Sequence, residues 1–191
     1  MMPAPGRLST AMIALLLTTG CTMTSSSGPE LRGPLVAEDV VRLDLRNPPT
    51  RDEAGFAEGR NDVILERVGD AIDVEITLPG DRLLRTEAFG VVLAGPVGEP
   101  AGDHAVKVVL NRRLPDLEAV SAELLEEADA LALDPADIQE FVDSVGSPPT
   151  HIDRRVLIGS PATPPEIDVE VRYGSSGDWI LNYNLTFPDP A

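Results

Sequence analysis

The side chains that could carry chemistry are few and far apart. Two histidines occur in 191 residues, His104 beside Asp103 and His151 two places before Asp153. A carboxylate that near in sequence could orient an imidazole as a general base. Pairs of this kind also arise wherever a loop runs into a strand, with both groups solvated. Cys21 is the single cysteine, so there is neither a disulfide framework nor a cysteine-rich zinc site. The run Gly95-Pro96-Val97-Gly98-Glu99-Pro100 lacks the lysine and following helix of a phosphate loop. Gly174-Ser175-Ser176-Gly177 has the wrong spacing for a nucleophile elbow and reads as a hairpin loop. Neither a His-Glu-x-x-His helix nor a calcium loop with its closing glutamate is present. Two carboxylates set across a cleft could hydrolyse glycosidic bonds, and so acidic a chain offers many pairs without selecting one. With aromatics at 4%, Trp179 and Tyr183 read as core rather than as a sugar platform. The sequence assigns no catalytic residue, no metal ligand and no cofactor.

One acidic stretch rises above this background. Residues 115–145 hold Asp116, Glu118, Glu123, Glu126, Glu127, Asp129, Asp134, Asp137, Glu140 and Asp143, with no lysine or arginine. Such a face could bind a basic protein partner or collect cations. It could equally be a solvated surface that keeps the domain soluble and off a membrane. Arg112-Arg113, just before it, is the nearest basic pair. The whole chain carries 15 basic against 32 acidic side chains, a formal charge of −17. That balance argues against nucleic acid or an anionic bilayer as the partner of the folded part.

The N-terminus reads as an address. Met1 to Arg7 carries one positive charge, and Leu8 to Leu17 is mostly apolar. A span needs about 20 apolar residues, so this run is too short to cross a bilayer and instead fits a secretory signal. Thr18-Thr19-Gly20-Cys21 follows. Here the chain resembles the bacterial lipoproteins, whose lipobox ends in a cysteine that receives diacylglycerol and becomes the new N-terminus. Gly20 and Cys21 match that motif and Thr19 is acceptable in it, while Thr18 stands where leucine is usual. The resemblance implies that residues 1–20 are a signal peptide and that Cys21 is the lipid-attachment site, with acyl chains such as palmitate. It further implies a cell-membrane location on the extracytoplasmic side. Residues 21–34 begin with Thr22-Met23-Thr24-Ser25-Ser26-Ser27-Gly28-Pro29 and read as a flexible tether, reaching about 20 Å as a random coil. Removing residues 1–20 leaves 14 basic against 32 acidic side chains, or −18.

Residues 35–191 must then supply one domain. In 62–78, Ile72, Val74, Ile76 and Leu78 alternate with polar residues, the mark of a half-buried strand. A two-residue turn at Gly69-Asp70 would pair Leu65 with Val74 and Val63 with Ile76, apolar on apolar. A second hairpin crosses Gly174–Asp178. A five-residue loop there pairs Tyr173 with Trp179, Val171 with Leu181 and Val169 with Tyr183, and a four-residue loop would turn core side chains into solvent. Weaker strands are predicted over 39–46, 84–94, 106–110 and 156–158, with loops over 47–61 and 95–103.

The helices are clearer. Leu117, Val120, Leu124, Leu125, Ala128 and Leu131 recur at helical spacing between Asp116 and Ala132, with the acids on the rest of the circumference. Asp134-Pro135 is a start signal, Ile138, Phe141, Val142 and Val145 form a second stripe, and Gly146 ends it. The expected fold is α+β, a mainly antiparallel sheet packed by a helical hairpin in a single domain. The expected function is a membrane-anchored envelope lipoprotein acting as a non-enzymatic interaction or binding module. A carrier of a small apolar ligand or lipid, and a hydrolase using dispersed carboxylates, are the alternatives.

Overall fold

The computed structural model describes residues 35–37, 40–66, 70–96, 103–147, 149 and 154–188. The fold is α+β and mainly antiparallel, as the residue patterns predict. Among the described residues ten strands form two sheets. Four of them are β1 (Val36–Ala37), β2 (Val40–Asp44), β4 (Ile72–Leu78) and β5 (Arg82–Ala88), ordered β1-β2-β4-β5. The rest are β3 (Asp62–Glu66), β6 (Gly90–Ala94), β7 (Lys107–Leu114), β8 (Arg154–Gly159), β9 (Glu166–Tyr173) and β10 (Trp179–Thr186), ordered β3-β6-β7-β10-β9-β8. One hydrophobic cluster runs through the inward faces of both sheets.

The C-terminal hairpin has the predicted register. Tyr173 pairs with Trp179, Val171 with Leu181 and Val169 with Tyr183. Gly174 N–H donates to the Asp178 carbonyl at 2.7 Å and closes the loop. Alternation along β9 and β10 places Val169, Val171, Leu181, Tyr183 and Leu185 fully inside.

The expected hairpin over 62–78 is a correction. β3 pairs with β6, Leu65 opposite Val91, whereas β4 pairs with β2 and β5. Leu65 has the same buried parity in either arrangement, so the hydrophobic pattern cannot separate a hairpin from a chain that changes sheet. The β2–β4 pair is parallel, with Val41 opposite Val74 and Leu43 opposite Ile76. A second sheet change lies inside 84–94, which is two strands rather than one. β5 ends at Ala88, Phe89 donates its N–H to the Asn111 carbonyl at 2.7 Å, and β6 begins at Gly90 in the other sheet.

Residues 47–61 are not wholly loop. They contain α1 (Arg51–Ala54), where Thr50 caps the Glu53 N–H and the Glu53 carboxylate accepts from Thr50 N–H at 2.8 Å. This is the Thr-x-x-Glu capping box. Gly55 follows at φ 77°, a conformation that favours glycine.

The helical hairpin forms as predicted, from α2 (Leu117–Leu131) and α3 (Pro135–Ser144). Asp116 accepts from Ala119 N–H and Asp134 from Ala136 N–H, each at 2.8 Å. Two members of the α2 pattern exchange places. Leu125 is 45% exposed, and Glu127 is 6% exposed. Phe141 of α3 meets Trp179 edge-on at 5.9 Å between centroids, which ties the hairpin to the six-stranded sheet. The end of α2 also locks the edge strand β8. Ser160 N–H donates to the Ala132 carbonyl at 2.9 Å, and a Cβ on Gly159 would fall 2.2 Å from the Leu131 carbonyl oxygen.

Candidate functional site

The site is built where α2 crosses β7, β10 and the edge strand β5. Arg112 belongs to β7 and has the parity of Val108, Leu110 and Leu114, so it points toward the core opposite Leu181. The predicted strand 106–110 therefore runs on to Leu114, and Arg112 is no surface charge. From above, α2 brings down Glu123 and Glu127, four residues apart and hence on one side of the helix. Arg112 Nη2 meets Glu123 Oε2 at 2.8 Å, with both side chains less than one fifth exposed. Thr86 of β5 completes the link. Its hydroxyl donates to Glu123 Oε1 and accepts from Arg112 Nη1, both at 3.0 Å, and Arg112 Nη1 also reaches the Glu87 carbonyl.

Beneath this triad the hydrogen bonding is incomplete. Among the described residues, the buried side-chain polar atoms without a partner are Arg112 Nε, both Glu127 carboxyl oxygens and the Tyr183 hydroxyl. All four belong to this one cluster. Buried polar groups are satisfied almost everywhere in native proteins, and a concentration of exceptions needs a cause. Burial pushes the Glu127 carboxyl up to about 8, with the Glu123 charge adding to the shift. Tyr183 bears on Glu127 without reaching hydrogen-bond geometry, and burial raises its hydroxyl well above the ordinary value. The two glutamates thus differ in role. Glu123 is ion-paired to arginine, and burial favours the neutral form of Glu127.

A cleft of about 450 Å³ opens over the cluster. Its walls bring Asp73 and Glu75 from β4, Arg85, Thr86 and Glu87 from β5, Arg112 from β7, and Glu123, Glu126 and Glu127 from α2. Glu75 is ion-paired to Arg85 and Arg42, and the Arg85 hydrogen bond first of all holds its carboxyl below the usual range. Six acids face two arginines, so the cleft is negative. It is lined by no histidine and no aromatic ring. Among the described residues no three His, Cys, Asp or Glu side chains converge as a metal site.

The residues singled out from sequence lie elsewhere. His104 is half-buried and forms an isolated bridge with Thr50, beside the capping box of α1, and exposed Asp103 gives its carbonyl to Arg51 N–H. Cys21, His151 and Asp153 are outside the described residues. Trp179 and Tyr183 are core, as read, but Tyr183 carries its hydroxyl into the cluster. Two positions in the sequence could have revealed the site. Glu127 stands seven residues after Val120 and four before Leu131, in the middle of the apolar stripe. Arg112 keeps the inward parity of the strand before it.

The Glu127 assignment has a measurable consequence. The folded state keeps a proton that the unfolded chain releases near 4.5, so stability is full below that value and falls as pH rises toward about 8. The loss approaches about 1.4 kcal/mol per pH unit inside that window. Glu127→Gln should match the parent near pH 5 in urea unfolding and exceed it near pH 8.5. Identical pH curves for the two proteins would refute the neutral buried acid.

No family model matches the chain, and neither does any curated protein or solved structure. No helix among the described residues is long and apolar enough to cross a membrane.

Proposed function

We propose that the chain is a bacterial envelope lipoprotein, tied through Cys21 to a membrane on its extracytoplasmic side, where it acts as a non-enzymatic binding module for a positively charged partner. The observation that carries this reading is the α2–α3 hairpin. Of the ten acids between residues 115 and 145, all but Glu123 and Glu127 are exposed, and no lysine or arginine lies among them. Arg155, which pairs with Glu140 at 3.0 Å, is a cation set against that face from β8. The excess of surface carboxylates on the two helices gives a field that steers a basic partner and weakens as salt rises.

A hydrolase draws support from the neutral Glu127 beside the charged Glu123, since acid–base pairs are made by environments that separate two carboxyls. The cleft offers no histidine or aromatic ring to hold or orient a substrate, and this places the hydrolase second. An apolar carrier has less behind it, because Leu124, Leu131, Phe141 and Trp179 fill the space between helices and sheet.

The test is crosslinking in intact cells of the native host, with a triple variant Glu118→Gln, Asp129→Asn, Asp137→Asn that leaves the cleft untouched. A crosslinked species that the parent forms and the variant loses, and that weakens with added salt, supports the proposal. No crosslinked species, or one indifferent to the variant, overturns it.

A further inference from the structure

We propose that the cleft between α2 and the β4–β5 edge is a binding site for an alkylammonium ligand, a flexible chain bearing protonated amines, with one head seated on Glu127. This rests on the reading of the protein as a binder of positive charge and names the chemistry that one site accepts.

Three observations converge on it. The cleft is lined by six carboxylates and two guanidiniums, and both guanidiniums are already ion-paired, Arg85 to Glu75 and Arg112 to Glu123. Asp73, Glu87 and Glu126 on its rim make no side-chain ion pair, so the excess charge is negative and uncommitted. Its floor is Glu127, more than nine-tenths buried, with neither carboxyl oxygen hydrogen-bonded. That is an acceptor already stripped of water and lacking a donor. An ammonium brings three donors and the charge that a buried carboxylate needs. The terminal torsion of a glutamate is broad, so the carboxyl can turn toward an arriving head group.

The spacing of the acids selects the class of cation. No three of them converge on a point as metal ligands do. Glu127 is buried while Asp73, Glu87 and Glu126 are exposed, so the acids lie at different depths of the cleft, which suits positive charges separated along a chain. A free linear polyamine has this form, and so does a lysine-bearing segment of a partner protein.

Seating the ligand moves a proton. Glu127 is neutral at pH 7 because it is buried, with the Glu123 charge from its own helix adding to the effect. Arg112 from β7 opposes the shift, and Tyr183 from β10, Asp73 and Glu75 from β4, and Arg85 and Glu87 from β5 complete the charged surroundings. An ammonium beside the group favours the carboxylate, so the proton leaves as the ligand enters. Affinity should rise by up to about tenfold per pH unit below about 8 and level off above it.

Titration calorimetry on the purified protein at constant ionic strength tests this, with spermidine, an end-blocked lysine tripeptide and Mg2+ as probes. The expected result is saturable binding of an amine with about one proton released near pH 6.5 and fewer near pH 8.5, read from buffers of different ionisation enthalpy. Glu127→Gln should weaken binding by about tenfold near pH 8.5 and abolish the proton release. Proton release by the parent protein is a readout that does not depend on how that variant folds. Binding of spermidine alone identifies a free polyamine, and binding of the tripeptide alone identifies a partner's lysine. No amine binding, equal competition by Mg2+, or a Glu127→Gln protein that binds and releases protons like the parent overturns the site. The crosslinking triple variant alters none of the cleft residues, so that reading and this one can fail separately.

Discussion

Arg112→Ala is expected to destabilise the fold by about 3 kcal/mol at pH 7, because it leaves Glu123 nearly buried with no counter-charge. For a chain of this size that is a fall in melting temperature of roughly 6–12 °C. The loss has three parts on the same atoms. The 2.8 Å ion pair disappears, Thr86 loses the donor that orients its hydroxyl, and the Glu87 carbonyl loses its bond from Arg112. Removing both charges should cost less than removing one. Arg112→Met combined with Glu123→Gln replaces the pair by neutral groups of similar volume and leaves no unpaired charge, so the double variant should recover much of the loss. Urea unfolding of the parent, Arg112→Met, Glu123→Gln and the double variant measures the coupling directly. A cost below about 1 kcal/mol for Arg112→Ala, or simple additivity, would mean that this cluster is wet and that its apparent burial has no energetic weight.

The second large effect concerns place. Cys21→Ser in the native host should move the protein from the membrane fraction to the soluble fraction or leave it as precursor. The argument is quantitative. One acyl chain holds a protein with an association constant of only about 10⁴ M⁻¹, and stable anchoring takes two. The proposed diacylglyceryl thioether would supply both at one atom, so loss of the thiol would remove that anchoring energy. Among the described residues no helix is long and apolar enough to cross a membrane in its place. With residues 1–20 removed as proposed, the chain carries a formal charge of −18, which repels an anionic bilayer rather than holding the protein there. Intact-mass measurement separates the outcomes, since a lipidated N-terminal Cys21 and an unmodified chain differ by the mass of the acyl chains. Unchanged membrane retention of Cys21→Ser would remove the lipoprotein reading.

Local chemistry made much of the architecture legible. The hairpin across Gly174–Asp178 could be placed to the residue because loop length, alternation and aromatic positions all demanded the same register. Asp116 and Asp134 announced both helices of the hairpin by their capping role. What stayed hidden was the exchange of strands between sheets. Leu65 and Val74 are good partners by parity, yet β3 and β4 separate, because period-2 alternation says which face is buried and not which strand lies alongside. The same limit joined β5 and β6 into one strand across Phe89. The cluster was missed for a different reason. Glu127 was assigned to the wet side because it is charged, although its spacing from Val120 and Leu131 placed it inside. Arg112 was left outside the strand because a charge ended the apolar run. In both cases position outranks residue type, and both residues belong to the cluster that holds the most buried ionisable side chains among the described residues.

The order of the six-stranded sheet has a consequence for how the chain is made. β10 lies in its middle, bonded to β7 on one side and β9 on the other, yet it follows the other described strands of that sheet in sequence. Until it arrives, β7 has only β6 beside it and the β8–β9 pair has nothing to join. The folding nucleus therefore has to bridge residues far apart in the chain, which places acquisition of the native state among the slower classes. A polypeptide whose keystone strand comes last stays open while it emerges. The export proposed above would draw on that openness, because a secretory channel threads a chain that has not yet closed its sheet.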